Sequence, residues 1–353
     1  MKPPNTDCQL PISDYRFSIF GCRLSFLLIG LVFFFYSCEK LFLADDPESD
    51  PVSNFEYLWQ EANNKYSYFE YKSVDWDAVY DTYRPLVHNA MSDRELFDVL
   101  ADMLFELKDG HVNLTSAFDR SRNWDWFLDY PPNFNENIIY RNYLGSDYLI
   151  TGPLHNQVID SVLYVYYSSF ADAISSNHLD ELVERATGLK GIIIDIRSNG
   201  GGSSGNAYAL ASALAGQSYT YGYSRIKNGP GKDDFSSWRG MSITPRSGKR
   251  FTGQVVLLCN RGSYSASNLF AQMMKSRPDA ILLGDQTGGG GGIPAFGELP
   301  NGWTYRFSVT QTINPDGHHI DSGVEVDVAV DLDPVDEAAG VDSMLEAALD
   351  VLR

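Results

Sequence analysis

Cysteine and positive charge are both scarce in this chain of 353 residues. Cys8, Cys22 and Cys38 lie near the start, and Cys259 stands alone in the rest of the chain, which can therefore form no internal disulfide. No CxxC pair or Cys/His cluster predicts a zinc site. The 27 Lys and Arg residues are outnumbered by 46 Asp and Glu residues, and a formal net charge of −19 repels phosphate backbones. We therefore expect no nucleic-acid partner, and no motif predicts a cofactor.

Long hydrophobic runs are also absent, apart from LSFLLIGLVFFFYS at residues 24–37. As a helix, this run would span about 21 Å, which is short for a membrane crossing. Its length is typical of the apolar region of a signal peptide, and Arg16 and Arg23 precede it. Ser37 and Cys38 end the run in a pattern that resembles a bacterial lipobox, in which the cysteine carries a lipid.

The N-terminal segment is therefore expected to be a targeting signal rather than part of the folded domain. We expect residues 1–37 to be a lipoprotein signal peptide, Cys38 to be lipidated, and residues 38–52 to be a flexible acidic tether. This predicts a protein of the bacterial cell envelope, facing the periplasm or the outside, that meets the membrane only through its N-terminal lipid. A plain signal peptide or a short membrane anchor is the alternative.

Helical periodicity dominates the next part of the chain. Residues 53–110 carry apolar side chains at helical spacing and predict a small N-terminal three-helix unit. Ser92 and Glu95 form an S-x-x-E pattern that is typical of a capping box at a helix start. Residues 111–353 are expected to form the core domain.

The core domain alternates strand, turn and helix. Short strands are predicted at 136–144 and 146–154. Apolar runs then predict strands in the segments 161–170, 190–202, 253–263 and 279–292. The last three segments end in glycine-rich or serine-rich turns, and helices are predicted between successive strands. This alternation predicts an α/β fold with a mostly parallel sheet. Because the carboxyl ends of parallel strands share one edge, the glycine-rich and serine-rich turns should meet there.

Two of these turns carry candidate chemistry. Ser265 stands where a strand gives way to a helix, so unpaired N–H groups and the helix dipole can stabilise an anion beside it. An ordinary N-cap serine is the alternative, as it is for Ser263 and Ser267. The glycines at 200–202 let backbone N–H groups approach a ligand, or they simply form a tight turn. A phosphate loop is disfavoured because GxxxxGK[ST] is absent.

His111, in KDGHVNL, is the candidate base. A serine hydrolase needs a base whose pKa is near neutrality, which histidine supplies, although a structural role is the alternative. His318 and His319, with Asp316 and Asp321, could instead bind a metal. Their spacing fits no standard site, so no metal is expected.

Taken together, these segments resemble the C-terminal processing (tail-specific) serine protease family. The resemblance is strongest to the branch of the tricorn protease core and interphotoreceptor retinoid-binding protein. It rests on KDGHVNL, GIIIDIRSNGGG, VVLLCNRGSYSASNLFA, ILLGDQTGGGG and GVEVDVAVDLDP, which occur in family order. It implies a ClpP/crotonase-like protease core behind the helical unit. The chain between His111 and GIIIDIR is too short for a full PDZ domain, so none is expected.

Residue by residue, the resemblance places the family nucleophile on Ser265. The oxyanion hole would use backbone N–H groups of Gly200 or Gly201 and of Ala266.

The resemblance also suggests which base is used. One branch of the family has a lysine about where Gly290 stands here, and no lysine is nearby. The other branch uses a histidine that falls on His111, oriented by an acidic residue for which Asp321 and Glu325 are the candidates.

The resemblance therefore implies a serine peptidase that cleaves a peptide or protein substrate through an acyl-enzyme. Two alternatives remain open. One is an inactive protein that binds peptides or hydrophobic ligands on the same fold. The other is a crotonase-type acyl-thioester enzyme, which expected export away from coenzyme A disfavours.

Overall fold

The computed structural model of the protein describes residues 48–124 and 129–353. The described part begins with three helices. The predicted signal peptide, Cys38 and the tether up to residue 47 lie outside the described residues. Residues Ser49–Arg353 cluster as one unit. Within it, no helix of the described ranges combines the length and the apolar character needed to cross a membrane.

The first helices confirm the expected helical segment. They are α1 (Pro51–Lys65), α2 (Trp76–Tyr83), which continues as a 3-10 turn (Arg84–Leu86), and α3 (Asp93–Phe105). The first helix begins slightly before residue 53, because the Asp50 side chain accepts hydrogen bonds from the next N–H groups and proline suits the first helical turn. Ser92 and Glu95 form the predicted capping box at the start of α3.

The helical segment shares its core with residues from much later in the chain. Phe55 and Leu100, which are fully buried, belong to the same apolar cluster as Leu299, Trp303 and Phe307. The boundary expected at residue 110 stays a prediction.

Thirteen strands lie among the described residues and form three sheets. They are β1 (Asn113–Thr115), β2 (Leu149–Thr151), β3 (Leu154–Ile159), β4 (Val162–Tyr166), β5 (Gly191–Asp195), β6 (Tyr219–Ile226), β7 (Arg239–Ile243), β8 (Gln254–Cys259), β9 (Ala280–Gly284), β10 (Pro294–Glu298), β11 (Thr304–Ser308), β12 (Thr310–Ile313) and β13 (Val328–Ala329). The later helices are α4 (Ser176–Ala186), α5 (Ser204–Ala213), α6 (Ala266–Lys275), α7 (Pro334–Ala338) and α8 (Ser343–Leu352).

The largest sheet has seven strands in the order β13-β9-β8-β5-β4-β3-β2. Its strands from β13 to β4 pair in parallel, whereas β3 and β2 pair antiparallel at one edge. The predicted mostly parallel sheet is confirmed. Two smaller sheets, β1-β11-β10 and β12-β6-β7, complete the strand set of the described residues.

Both faces of the large sheet are covered, because successive side chains of a strand point to opposite sides. Ile192 and Ile194 of β5 join a core cluster with residues of α4, α5 and α6. Ile193 joins the opposite cluster, which includes Leu345 and Leu349 of α8. Strands buried on both faces explain the continuous apolar runs in the sequence.

One predicted strand is wrong. Residues Glu136–Ile138 form a helical turn, which continues as a six-residue π-helix, Ile139–Leu144. Asn135 caps the turn by accepting a hydrogen bond from the N–H of Asn137 at 3.1 Å. The segment at 146–154, expected as a single strand, is a hairpin of β2 and β3 that turns at Gly152, where φ is +61°.

Candidate active site

The three glycine-rich or serine-rich turns meet at the carboxyl edge of the large sheet. The N–H of Tyr264 donates to the carbonyl of Asn199 at 3.1 Å. The N–H of Ser265 donates to the carbonyl of Gly289 at 2.8 Å. These bonds tie the loop after β8 to the loops after β5 and β9.

Ser265 occupies a sharp strand-to-helix turn directly before α6. Its φ is +58° and its ψ is −114°, a conformation that side-chain-bearing residues rarely adopt. Such strain persists only where the surrounding structure holds it, and here the neighbouring loops do so through hydrogen bonds. The turn presents the side chain to a cavity of about 610 Å³.

His111 reaches this serine from the loop between α3 and β1. Its Nε2 lies 2.8 Å from Ser265 Oγ, although 154 residues separate the two in the chain. The ring is buried, with 4% of the residue exposed. When the proton of the neutral ring is on Nδ1, Nε2 accepts the hydrogen bond of the serine hydroxyl. The structure thus brings together the two residues that the sequence singled out.

Asp109 is the carboxylate that faces the imidazole. Its Oδ1 lies 4.0 Å from His111 Nδ1 and accepts a hydrogen bond from the backbone N–H of His111 at 2.8 Å. Its Oδ2 accepts hydrogen bonds from Ser308 Oγ at 2.9 Å and from the Tyr66 hydroxyl at 3.2 Å. Among the described residues, His111 Nδ1 has no hydrogen-bond partner.

In the described part of the chain, the two acidic residues expected from the resemblance form no ion pair with His111. Asp321 is buried, but its Oδ2 forms an ion pair with Lys72 Nζ at 2.9 Å, and its Oδ1 accepts from the N–H of Gly291 at 3.0 Å. Glu325 is exposed and makes no ion pair with His111 within the described ranges. Sequence reasoning missed Asp109 because its neighbour Gly110 made the pair look like an ordinary turn. Its position two residues before His111 was the available signal.

Burial and charge set the protonation of this cluster. Burial lowers the pKa of His111 below its usual value, and the negative charge of Asp109 only partly offsets this. Burial raises the pKa of Asp109, but the charges of Lys72 and protonated His111, together with the hydrogen bonds from the His111 N–H and Ser308, outweigh it, so the pKa lies below its usual value. At neutral pH the site therefore holds a neutral imidazole and an ionised carboxylate.

Backbone donors lie beside the serine. The N–H of Gly201 donates to Asn199 Oδ1 at 3.0 Å, which removes this predicted donor from the oxyanion hole. In the described part of the chain, no protein acceptor takes the N–H of Gly200 or of Ala266. Ala266 is the first residue of α6, where the helix dipole adds to the attraction for an anion.

Gly201 packs directly against the turn that carries Ser265. Its φ is +98°, and a Cβ at this position would lie 2.8 Å from Ser265 Cβ and 2.9 Å from the nitrogen of Ala266. Glycine is therefore required here both for the backbone conformation and for the close approach.

The cavity that holds Ser265 and His111 has one apolar wall and one basic residue. Trp124, Pro294 and Phe296 line it together with Arg306. This mixture suits a peptide, which carries both apolar and polar groups.

The metal alternative in PDGHHIDSG finds no support. Asp321 forms an ion pair with Lys72, and the ring of His319 packs against Tyr68 and Tyr71. Throughout residues 48–124 and 129–353, no group of three or more His, Cys, Asp or Glu side chains lies close enough to hold a metal ion.

Two family models match parts of the chain. Residues 161–330 match the model of peptidase family S41, and residues 47–105 match the model of the tricorn protease C1 domain. A "Probable CtpA-like serine protease" of Staphylococcus aureus (strain N315) is 29% identical over 161 residues, which are 45% of this chain and 30% of that protein. The chain thus spans less than a third of the length of the curated relatives it matches.

Solved structures match over more of the chain. A crystal structure of a "putative peptidase" from Parabacteroides merdae is 42% identical, with a TM-score of 0.82, covering 86% of this chain and 97% of that one. The photosystem II D1 C-terminal processing protease matches with a TM-score of 0.52 at 16% identity, over 84% of this chain and 97% of that one. The latter similarity is one of fold.

Proposed function

This chain belongs to peptidase family S41, the C-terminal processing proteases, and from that membership we propose that it is a serine peptidase with Ser265 as nucleophile and His111 as base. The observation that carries the proposal is the distance of 2.8 Å between His111 Nε2 and Ser265 Oγ. This is hydrogen-bond reach, the geometry that a base needs to take the proton of a nucleophile. The substrate is a peptide or protein.

The first half-reaction forms an acyl-enzyme. His111 Nε2 takes the hydroxyl proton while Ser265 Oγ bonds to the scissile carbonyl carbon. The carbonyl oxygen becomes an oxyanion, which accepts hydrogen bonds from the N–H groups of Ala266 and Gly200, since neither has an acceptor among the described residues. The C–N bond then breaks, and His111 gives its proton to the leaving amine.

The second half-reaction hydrolyses the acyl-enzyme. The water oxygen bonds to the ester carbon while His111 takes a water proton, and the second tetrahedral intermediate then collapses by breaking the bond between this carbon and Ser265 Oγ. The proton returns to Ser265 Oγ, and the carboxylate product leaves. Asp109 stabilises the imidazolium that forms twice in the cycle, since its Oδ1 lies 4.0 Å from His111 Nδ1.

The test is labelling with a fluorophosphonate probe, combined with a peptide-library cleavage screen. Ser265→Ala should abolish both. Ser267→Ala is the matched control, because it removes a buried hydroxyl for which the described residues offer no hydrogen-bond partner. Undiminished labelling of the Ser265→Ala variant would refute the assignment. No observation favours an inactive ligand-binding protein, because the nucleophile and base are both present and in contact.

We also propose that the protein is a lipoprotein of the bacterial cell envelope, with Cys38 as the lipidated residue. The support is the short apolar run at 24–37 followed by Ser37-Cys38. Replacing Cys38 by Ser should prevent incorporation of radiolabelled palmitate and release the protein from the membrane fraction. Cys22→Ser is the matched control and should leave both unchanged. Lipid incorporation that persists in Cys38→Ser would reject this site.

A further inference from the structure

Arg306 brings a positive charge into the cavity that holds the nucleophile. It lies on β11 and lines the same cavity of about 610 Å³ as Ser265 and His111. Its Nε donates to Asn113 Oδ1 at 2.7 Å. Its two terminal nitrogens donate to no acceptor among the described residues. This leaves the bidentate edge of the guanidinium available for a ligand.

A second arginine, Arg120, donates a hydrogen bond to the same acceptor as Arg306. Arg120 Nη2 donates to Asn113 Oδ1 at 3.0 Å, so two guanidinium groups share one neutral amide oxygen. The charge of Arg120 contributes, after burial, to lowering the pKa of Arg306. A negative group placed between or beside the two arginines would relieve this repulsion.

Neither arginine has a carboxylate partner within the described ranges. Elsewhere in this acidic chain, arginines such as Arg94, Arg246 and Arg261 form ion pairs. The described carboxylate whose charge acts on Arg306 is Asp109, which accepts hydrogen bonds from the His111 N–H, Ser308 and Tyr66. Within residues 48–124 and 129–353, Arg306 thus lines the cavity of Ser265 without an ion-pair partner, and Arg120 beside it has none either, in a chain whose net charge is −19.

We propose that Arg306, supported by Arg120, forms a carboxylate subsite that selects peptides with a carboxylate close to the scissile bond. This rests on the proposed peptidase function and names its substrate class. The apolar wall of Trp124, Pro294 and Phe296 contacts an adjacent apolar side chain of the same peptide. The carboxylate comes from an Asp or Glu side chain or from the peptide's C-terminus.

The experiment uses quenched fluorescent peptides chosen from the library screen and the full chain at one fixed ionic strength. Each peptide is made with Glu or Gln at every position flanking the cleaved bond, and with a free or an amidated C-terminus. The wild type should favour carboxylate versions over amide versions by about tenfold or more in kcat/KM, as expected for a charge-assisted bidentate contact. Loss of the preference on amidation alone identifies the C-terminus, and loss on Glu→Gln alone identifies the side chain.

Variants assign the preference to the two arginines. Arg306→Gln should bring the ratio close to one, Arg306→Lys should keep part of it, and Arg120→Gln should lower it severalfold. Arg250→Gln, a change of the same charge at an exposed arginine away from the cavity lining, should leave it unchanged. Because Arg120 is exposed, its variant keeps the test valid if Arg306→Gln fails to fold.

Measurements of peptide binding distinguish an error in the subsite proposal from an error in the peptidase proposal. The same peptides, fluorescein-labelled, are titrated against the Ser265→Ala protein, and their Kd values should show the same preference. Equal Kd and kcat/KM for carboxylate and amide versions, or a preference that survives both arginine variants, overturns the subsite. If the wild type labels with the fluorophosphonate in that case, the peptidase proposal still stands. If it neither labels nor cleaves, the peptidase fails, and the Kd ratio alone decides the subsite.

Discussion

At the scale of single residues, His111 is subject to two opposing effects on its pKa. Burial lowers the pKa, and the charge of Asp109 raises it without cancelling the burial effect. A general base works in its neutral form, so kcat/KM should rise with pH as His111 loses its proton. The midpoint of this rise should lie below the ordinary histidine value of about 6.5, with a plateau through neutral pH. A pH profile of kcat/KM measures it.

Asp109→Asn should lower kcat/KM by about 100-fold or more, because the imidazolium formed in the reaction loses its facing charge. It should also move the midpoint of the pH profile further down, since the charge that raises the His111 pKa is gone. Asparagine keeps an oxygen that can accept the backbone N–H of His111.

Asp321→Asn is the comparison for this substitution. Its charge contributes less to the His111 pKa, and its partner is Lys72, so both effects should be smaller. A larger loss in Asp321→Asn than in Asp109→Asn would return the orienting role to Asp321.

Gly201→Ala tests the close approach of Gly201 to the turn that carries Ser265. The added methyl would lie 2.6 Å from the carbonyl oxygen of Tyr264 and 2.8 Å from Ser265 Cβ, at a φ of +98°. We expect labelling of Ser265 to slow by at least about tenfold, because a shift of 1 Å at a reacting atom is costly. Gly188→Ala, also at positive φ but with no atom within 4 Å of the added methyl, is the control for backbone strain alone. Equal slowing in both variants would contradict the role of close approach.

At the scale of secondary-structure elements, a buried ion-pair triad joins the end of β5 to the start of α8. Arg197 is fully buried and pairs with Asp195 at 2.6 Å and with Asp342 at 2.9 Å. Asp342 also caps α8 by accepting from the N–H of Leu345 at 2.8 Å. The triad holds the strand that leads into the glycine turn of the site.

Asp342→Asn should lower the free energy of unfolding by about 3–5 kcal/mol, because a buried guanidinium loses one of its two counter-charges. Asparagine retains the capping oxygen, so the loss reports the charge rather than the cap. Asp333→Asn, at the exposed cap of α7, should have a much smaller effect. Chemical denaturation measures both, and equal losses would show that the buried charge of Asp342 contributes no more to stability than the charge of an exposed cap.

The elements that sequence periodicity predicted correctly are those whose burial pattern is simple. Strands such as β5 and β8 are buried on both faces and appear as unbroken apolar runs. The π-helix at Ile139–Leu144 was mistaken for a strand. Its apolar and aromatic residues have high strand propensity, and only packing against the cluster that contains Leu144 and Tyr164 selects the helical form.

At the scale of the whole molecule, the residues Ser49–Arg353 form one unit that contains all three described core clusters. A chain starting at Glu48 should therefore unfold cooperatively, with a Tm within about 2 °C of the full chain's value, which corresponds to less than about 1 kcal/mol. Scanning calorimetry of both chains in the same detergent provides the measurement.

A shorter chain starting at Tyr66 is the matched control. It lacks α1, and with it the fully buried Phe55, Leu58 and Ala62. It should lose cooperative unfolding, because one apolar core cluster loses the buried side chains that α1 contributes to it. A stable chain without α1, or an unstable chain starting at Glu48, would contradict this division.

Short sequence patterns are enough to identify the parts of the site that depend on local structure. A serine at a strand-to-helix turn, glycines after a buried strand and a histidine in KDGHVNL can all be identified from short spacings. The β-turn-α alternation then predicted that these turns meet at one edge of a parallel sheet, because strand direction alone decides which ends lie together.

Which charged groups face the histidine and the cavity depends instead on the packing of segments that are distant in the chain. Asp109 and Asp321 are both buried near His111, and the packing of Lys72 against Asp321 leaves Asp109 to face the ring. Arg306 lines the cavity because β11 pairs with β1, and in that pairing it lies opposite Asn113. Electrostatic partners are chosen by distances between segments far apart in the chain, and no local spacing encodes those distances.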